Sequence, residues 1–114
     1  MRHPEADLQQ ACVQLLQIYE AQDRLTYFHV PNGARLANPQ RQGGRMKKLG
    51  VRPGVPDLVI VLPNGKTAWA ELKSTAGKLS DYQQAWGQTL LALGHNWAII
   101  RTVTELQNFI EGIE

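Results

Sequence analysis

The chain of 114 residues has a single cysteine, Cys12, so it can close no internal disulfide and build no cysteine-rich zinc site. Its three histidines, His3, His29 and His95, are scattered and form no zinc motif. No apolar run approaches the ~20 residues that span a bilayer. The N-terminal stretch lacks the apolar core of a signal peptide, so the expectation is a cytoplasmic protein. No internal repeat and no low-complexity segment is present. A phosphate-cradling loop is also missing. Gly65-Lys66-Thr67 has that motif's tail, but Ile60 stands where its first glycine belongs. The most informative absence is of negative charge. Between Arg24 and Pro56 there is no Asp or Glu, and this stretch holds seven of the twelve basic residues.

The size and the hydrophobic fraction of 43% suit one globular domain over residues 1–114, with a single sheet and helices on its faces. The net charge of +2 hides an uneven distribution, because the rest of the chain holds five basic and ten acidic residues. A basic loop on an acidic body is the footprint of a polyanion binder. A solvated loop that serves only solubility is the plainer alternative. Gly33, Gly43, Gly44, Gly50, Gly54, Pro39 and Pro53 argue against regular structure there, and a loop of such length is commonly functional. His29 and Asn32 stand near its start and read first as turn residues, with phosphate contact as the alternative.

What the loop leads into carries the chemistry. Leu58 to Leu62 is a continuous apolar run between Pro56 and Pro63-Asn64-Gly65, the pattern of a strand buried on both faces. Thr67 to Leu72 follows as a second strand. A two-residue turn at Asn64-Gly65 would set Leu58 opposite Glu71. A three-residue loop, Pro63-Asn64-Gly65 with a left-handed Gly65, would set Asp57 there instead. The second register is favoured, because Glu71 and Lys73 lie two apart on one face and Asp57 then joins them. Facing Cβ atoms in such a pair lie ~5 Å apart. Two carboxylates that close repel unless a divalent cation sits between them. The set suits metal-assisted phosphodiester cleavage. Asp57 and Glu71 are hard oxygen ligands for Mg²⁺ or Mn²⁺, the Leu72 carbonyl is a further one, and Lys73 handles the water or the phosphate. Each fragment alone has a plain structural reading, a Pro-Asp strand start and a cross-strand ion pair. Together they end two buried strands in three charges, which apolar strands seldom do.

Around the hairpin, Pro4 to about Gln22 reads as a helix with Leu8, Ala11, Cys12, Leu15, Leu16 and Tyr19 as its buried stripe. Glu5 and Asp7 suit its N-terminus. Leu25 to Val30 reads as a strand. Ser80 caps a second helix with Gln83 as capping-box partner, and Tyr82, Ala85, Trp86, Thr89, Leu90 and Leu93 make its buried face, ended by Gly94. Asn96 to Arg101 is the last strand. Thr102 to Glu105 is a second capping box, opening a helix with the stripe Leu106, Phe109, Ile110 and Ile113. The order α-β-β-β-α-β-α gives an α/β fold, a mixed sheet of about four strands flanked by helices. The third and fourth strands are expected to be parallel, because a helix crosses between them.

Pro56-Asp57 followed by Glu71-Leu72-Lys73 resembles the PD-(D/E)XK nuclease signature. With Gly54-Val55-Pro56-Asp57-Leu58 and Leu79-Ser80-x-x-Gln83-x-x-Trp86, the chain is similar to the VRR-NUC branch of that superfamily from about Glu5 to Thr104. The resemblance implies a restriction-endonuclease-like core and a divalent-metal DNA endonuclease of bacterial or phage origin. Small stand-alone members of this branch resemble Holliday-junction resolvases, which implies a homodimer acting on four-way junctions. A flap or other branched-DNA nuclease, and a non-catalytic nucleic-acid-binding module on the same fold, are the alternatives. The resemblance also gives Glu5 a second reading, as a further metal-site carboxylate, with Glu20 the weaker candidate. It gives Gln83 a second reading as an amide that orients the attacking water or a phosphate. Arg35, Arg41, Arg45, Lys47, Lys48, Arg52 and Lys78 are the expected DNA contacts.

Overall fold

The computed structural model describes residues 4–31 and 47–113. In chain order the elements are α1 (Pro4–Ala21), β1 (Thr26–His29), β2 (Leu58–Val61), β3 (Thr67–Leu72), α2 (Asp81–Ala92), β4 (Asn96–Ile100) and α3 (Val103–Ile113). One four-stranded sheet runs β1-β2-β3-β4. The first three strands are antiparallel neighbours, and β3 and β4 are parallel, joined through α2. This is the mixed α/β sheet expected from the order of elements.

Strand alternation sorts the side chains into two sets. Leu58, Ile60, Leu62, Ala68, Ala70, Leu72 and Ile100 share one core with Cys12, Leu16 and Tyr19 of α1 and Leu106 and Ile110 of α3. Cys12 is fully buried there, and burial pushes its thiol up to about 11, so it is an inert core residue. The intervening positions, Val59, Trp69, Glu71 and Trp97, belong to the other face. There α2 lies against β4 so closely that a Cβ on Gly87 would come within 2.4 Å of the Trp97 ring.

The hairpin takes the register that sets Asp57 opposite Glu71. Leu58 pairs with Ala70 and Val61 with Thr67, and Leu62 N–H bonds to the Lys66 carbonyl around the Pro63-Asn64-Gly65 loop. The turn differs from expectation in one detail. Asn64 is left-handed as well as Gly65, with φ values of 65° and 73°. Asparagine tolerates that region better than most side chains. The run is also less completely buried than expected, because Val61 is exposed.

Helix α2 requires a larger correction. Tyr82 is 64% exposed and Leu93 70%, while Gly87 and Leu90 are buried and Gln83 and Trp86 are half-buried. The buried face is turned by about one residue from the most apolar one. The contact on Trp97 is made by a glycine, which carries no hydrophobic signal. Lys47 and Lys48, expected in irregular chain, are helical. The second capping box is only half formed. Thr102 Oγ1 accepts from Glu105 N–H, but the Glu105 carboxylate accepts from Arg101 N–H rather than from Thr102.

Candidate active site

The ends of β2 and β3, and the start of α2, bring the charged residues together. Asp57 directly precedes β2, and its carbonyl accepts from Val30 N–H at 2.8 Å, which extends the β1–β2 ladder to this residue. The same carbonyl is 2.9 Å from His29 Nδ1, a bond that requires the proton on Nδ1. Asp57 Oδ2 reaches across to β3 and accepts from Leu72 N–H at 2.8 Å. Its side chain is thus held on the strand that carries Glu71.

Glu71 is 1% exposed, the only charged side chain among the buried residues described. Its Oε1 accepts from Gln83 Nε2 at 3.0 Å, and its Oε2 is buried with no partner. Burial is the main cause that pushes its carboxyl up to about 8. Repulsion from Asp57, a proton-sharing contact with Asp57, and weaker repulsion from Glu5 add to the shift, and Lys73 opposes it. Such a carboxylate stays ionised near neutral pH only if a cation neutralises it.

The capping-box reading of Gln83 holds. Its N–H bonds to Ser80 Oγ at 3.2 Å and its Oε1 accepts from Ser80 N–H at 2.8 Å, a complete capping box. Its remaining amide group holds Glu71. The orientation of the amide follows from its neighbours, because a flip would face donor with donor and carboxylate with carbonyl. The main chain of Lys73 is tied to β4 through its N–H on the Ile100 carbonyl, at 3.0 Å.

The segment before Asp57 is locked to the start of α2. Gly54 has φ +79°, and a Cβ there would lie 2.6 Å from Tyr82 Cβ and 2.9 Å from Gln83 N. Trp86 Nε1 donates to the Pro53 carbonyl at 2.9 Å, and the Arg52 guanidinium lies over the Trp86 ring, 5.1 Å from its centroid. The same contacts hold Asp57 and Gln83 at one place.

The other expected residues are placed as follows. Glu5 is exposed on the first turn of α1, in electrostatic range of Glu71. Among the described residues, no three carboxylate, histidine or cysteine side chains gather closely enough to form a metal cluster, so Asp57 and Glu71 stand as a pair. Glu20 accepts from Thr26 Oγ1 at 2.6 Å, at the end of β1 remote from Asp57. Lys47, Lys48, Arg52 and Lys78 are exposed. Arg35, Arg41, Arg45 and Asn32 lie outside the described residues. A cleft of about 360 Å³ lined by Asp23, Arg24, Leu62, Pro63, Asn64, Lys66 and Ile113 sits at the turn end of the hairpin, away from the carboxylates. The carboxylates themselves lie at the ends of the two central strands, β2 and β3. His29 was not expected to serve the site. Its partner is a main-chain carbonyl 28 residues away, which no local pattern announces.

The antiparallel hairpin with paired carboxylates and a lysine at its open end, covered by a crossover helix, has the plan of the PD-(D/E)XK nuclease class. The VRR-NUC domain profile matches residues 3–103, and the chain belongs to this family. A protein of Acyrthosiphon pisum secondary endosymbiont phage 1 named "Putative nuclease p44" is 41% identical over 49 residues, 43% of this chain; the match spans about half, 53%, of that relative's length. Two solved VRR-NUC domain structures share the fold. One has a TM-score of 0.69 at 16% identity over 99% of this chain and 100% of the other. The second has a TM-score of 0.72 at 15% identity over 98% and 88%.

Proposed function

We propose that this chain is a divalent-metal-dependent endonuclease that cuts branched DNA, four-way junctions foremost, and acts as a homodimer. The observation that carries the reading is Glu71, buried and facing Asp57, with Oε2 accepting no hydrogen bond from any N–H or hydroxyl. A buried carboxylate oxygen in that state is incomplete without a proton or a cation. The donor set, hard and anionic, fits Mg²⁺ or Mn²⁺ held by Asp57, Glu71 and the Leu72 carbonyl, with Glu5 as a further carboxylate from α1. When bound, such a cation polarises the phosphate and makes a bound water more acidic.

The residues have separable tasks in this account. Gln83 fixes one oxygen of Glu71 and leaves the other available. The Leu72 N–H and His29 hold the side chain and main chain of Asp57. Lys73, on the same strand end, orients the attacking water and stabilises charge that develops on the phosphate. The water oxygen bonds to phosphorus as the bond to the leaving ester oxygen breaks, and the leaving oxygen takes a proton. Lys47, Lys48, Arg52 and Lys78, with Arg35, Arg41 and Arg45, grip the backbone without reading bases. Contacts to phosphates carry no base identity, which favours recognition of DNA shape. Two copies about a two-fold axis would offer opposed active sites to a junction.

The test is a side-by-side incubation of junction, flap, splayed and linear DNA with Mg²⁺, Mn²⁺ or EDTA. Metal-dependent nicking of branched DNA, lost in Lys73→Ala, is expected. Asp57→Asn is expected to abolish cutting while junction binding persists. DNA that is shifted but never cut by the wild-type chain would favour a non-catalytic binding module instead.

A further inference from the structure

The loop that follows Lys73 is held by a side chain from a different strand end. Arg101 stands directly after β4, half-buried. Its Nη1 donates to the Ser74 carbonyl at 2.6 Å and to the Gly77 carbonyl at 2.8 Å. Gly77 N–H closes back on the Ser74 carbonyl at 3.0 Å, so the turn and its clamp share one acceptor. A Cβ added to Gly77 would lie 3.4 Å from Lys73 Cδ and 3.2 Å from Ser74 Oγ. The turn therefore backs the aliphatic stem of Lys73. Ile100, next to Arg101, accepts from Lys73 N–H, and Arg101's own N–H is held by Glu105.

We propose that Arg101 is a positioning residue for Lys73, pinning the Ser74–Gly77 turn as a wall along the lysine stem. The inference rests on the catalytic role given above to Lys73. A lysine stem is flexible, with many rotamers open to its ammonium. A wall on one side removes those that swing the ammonium away from the carboxylates. Arginine suits the task because one terminal nitrogen carries two N–H donors fixed in the guanidinium plane, and these serve both carbonyls at once. Arg101 is not placed to grip DNA with the donor that the carbonyls occupy, which separates it from the exposed cations near the site.

Arg101→Met, Arg101→Lys and Arg101→Gln test this. Single-turnover cleavage of a four-way junction with Mg²⁺ gives the rate, and binding of the same junction in EDTA gives Kd. For Arg101→Met the rate should fall roughly 10- to 100-fold, the range set by small misplacements of a catalytic group, with Kd unchanged. Arg101→Lys, which can still donate to both carbonyls, should recover much of the loss. An unchanged rate, or a loss of binding that matches the loss of rate, would overturn the proposal. If Arg101→Met shows no cooperative melting, Arg101→Gln decides, because its shorter side chain keeps a polar amide but cannot span both carbonyls; a wild-type rate there would also overturn the proposal. Selective ¹³Cε-lysine NMR keeps this question apart from nuclease activity. The Lys73 signal, assigned by its loss in Lys73→Arg, should move toward that of freely exposed lysines in Arg101→Met even if no DNA is cut. An unmoved signal contradicts the positioning role.

Discussion

A carboxylic acid that is 1% exposed and titrates at about 8 couples the fold to pH. In the unfolded chain Glu71 loses its proton near 4.5; in the folded, metal-free chain it keeps it to about 8. Between these values the folded state binds the extra proton, so stability falls as pH rises through that window and levels off above it. Thermal melts of metal-free protein from pH 4.5 to 9 should show that decline. Added Mg²⁺ or Mn²⁺ should raise Tm more at pH 8 than at pH 5, because proton and cation compete for one oxygen. Glu71→Gln should flatten the profile, melt higher than wild type at pH 8 without metal, and cut no DNA. At Gln83 two tasks can be split. Gln83→Ala should cost about 1–2 kcal/mol in chemical denaturation through the lost cap and the lost bond to Glu71. Gln83→Glu retains a capping acceptor but sets a second acid against Glu71, so cleavage should fall further than stability does. Asp57, Glu71 and Lys73 were legible in the sequence because strand alternation and the length of one turn bring them together. His29 and Arg101 were not, because each bonds main-chain carbonyls at least 24 residues away, and a carbonyl has no residue identity to read.

The elements that carry the site touch one another through glycines. At Gly54 a side chain would need a left-handed backbone and would overlap the main chain of Tyr82 and Gln83. Gly54→Ala is therefore expected to destabilise by more than about 2 kcal/mol, combining backbone strain with a clash that cannot relax. It should also lower cleavage by pushing Asp57 and Gln83 apart, as measured by denaturation alongside the nicking assay. The hairpin, the parallel β3–β4 pair, α1 and α3 follow from periodicity and turn residues, and their expected boundaries lie within about two residues of those found. The face of α2 does not follow. Tyr82, Ala85, Thr89 and Leu93 form the better apolar stripe, yet the helix is drawn onto the sheet through Gly87 on Trp97 and Gln83 on Glu71. Close approach and a polar tether outweighed hydrophobic pattern there.

Across the whole chain, charge is divided between a cationic stretch and a remainder with ten acids, and Asp57 is the first acid after that stretch. Junction binding should weaken steeply with salt, log Kd changing by roughly 0.9 per log unit of salt for each phosphate contacted. Replacing Lys47 and Lys48 together by Ala should reduce that slope and leave the preference for branched DNA in place. Among the described residues no helix is long and apolar enough to cross a membrane. The basic stretch was legible as composition alone, because its expected partner is a polyanion outside the chain and not a packing neighbour. The central claim, that Asp57 and Glu71 share a cation beside Lys73, is tested most directly by anomalous scattering from crystals soaked in Mn²⁺. The account predicts a peak bonded to a carboxylate oxygen of each residue, the Glu71 one being Oε2, at about 2.2 Å. Manganese bound elsewhere, with these two side chains still bare, would contradict it.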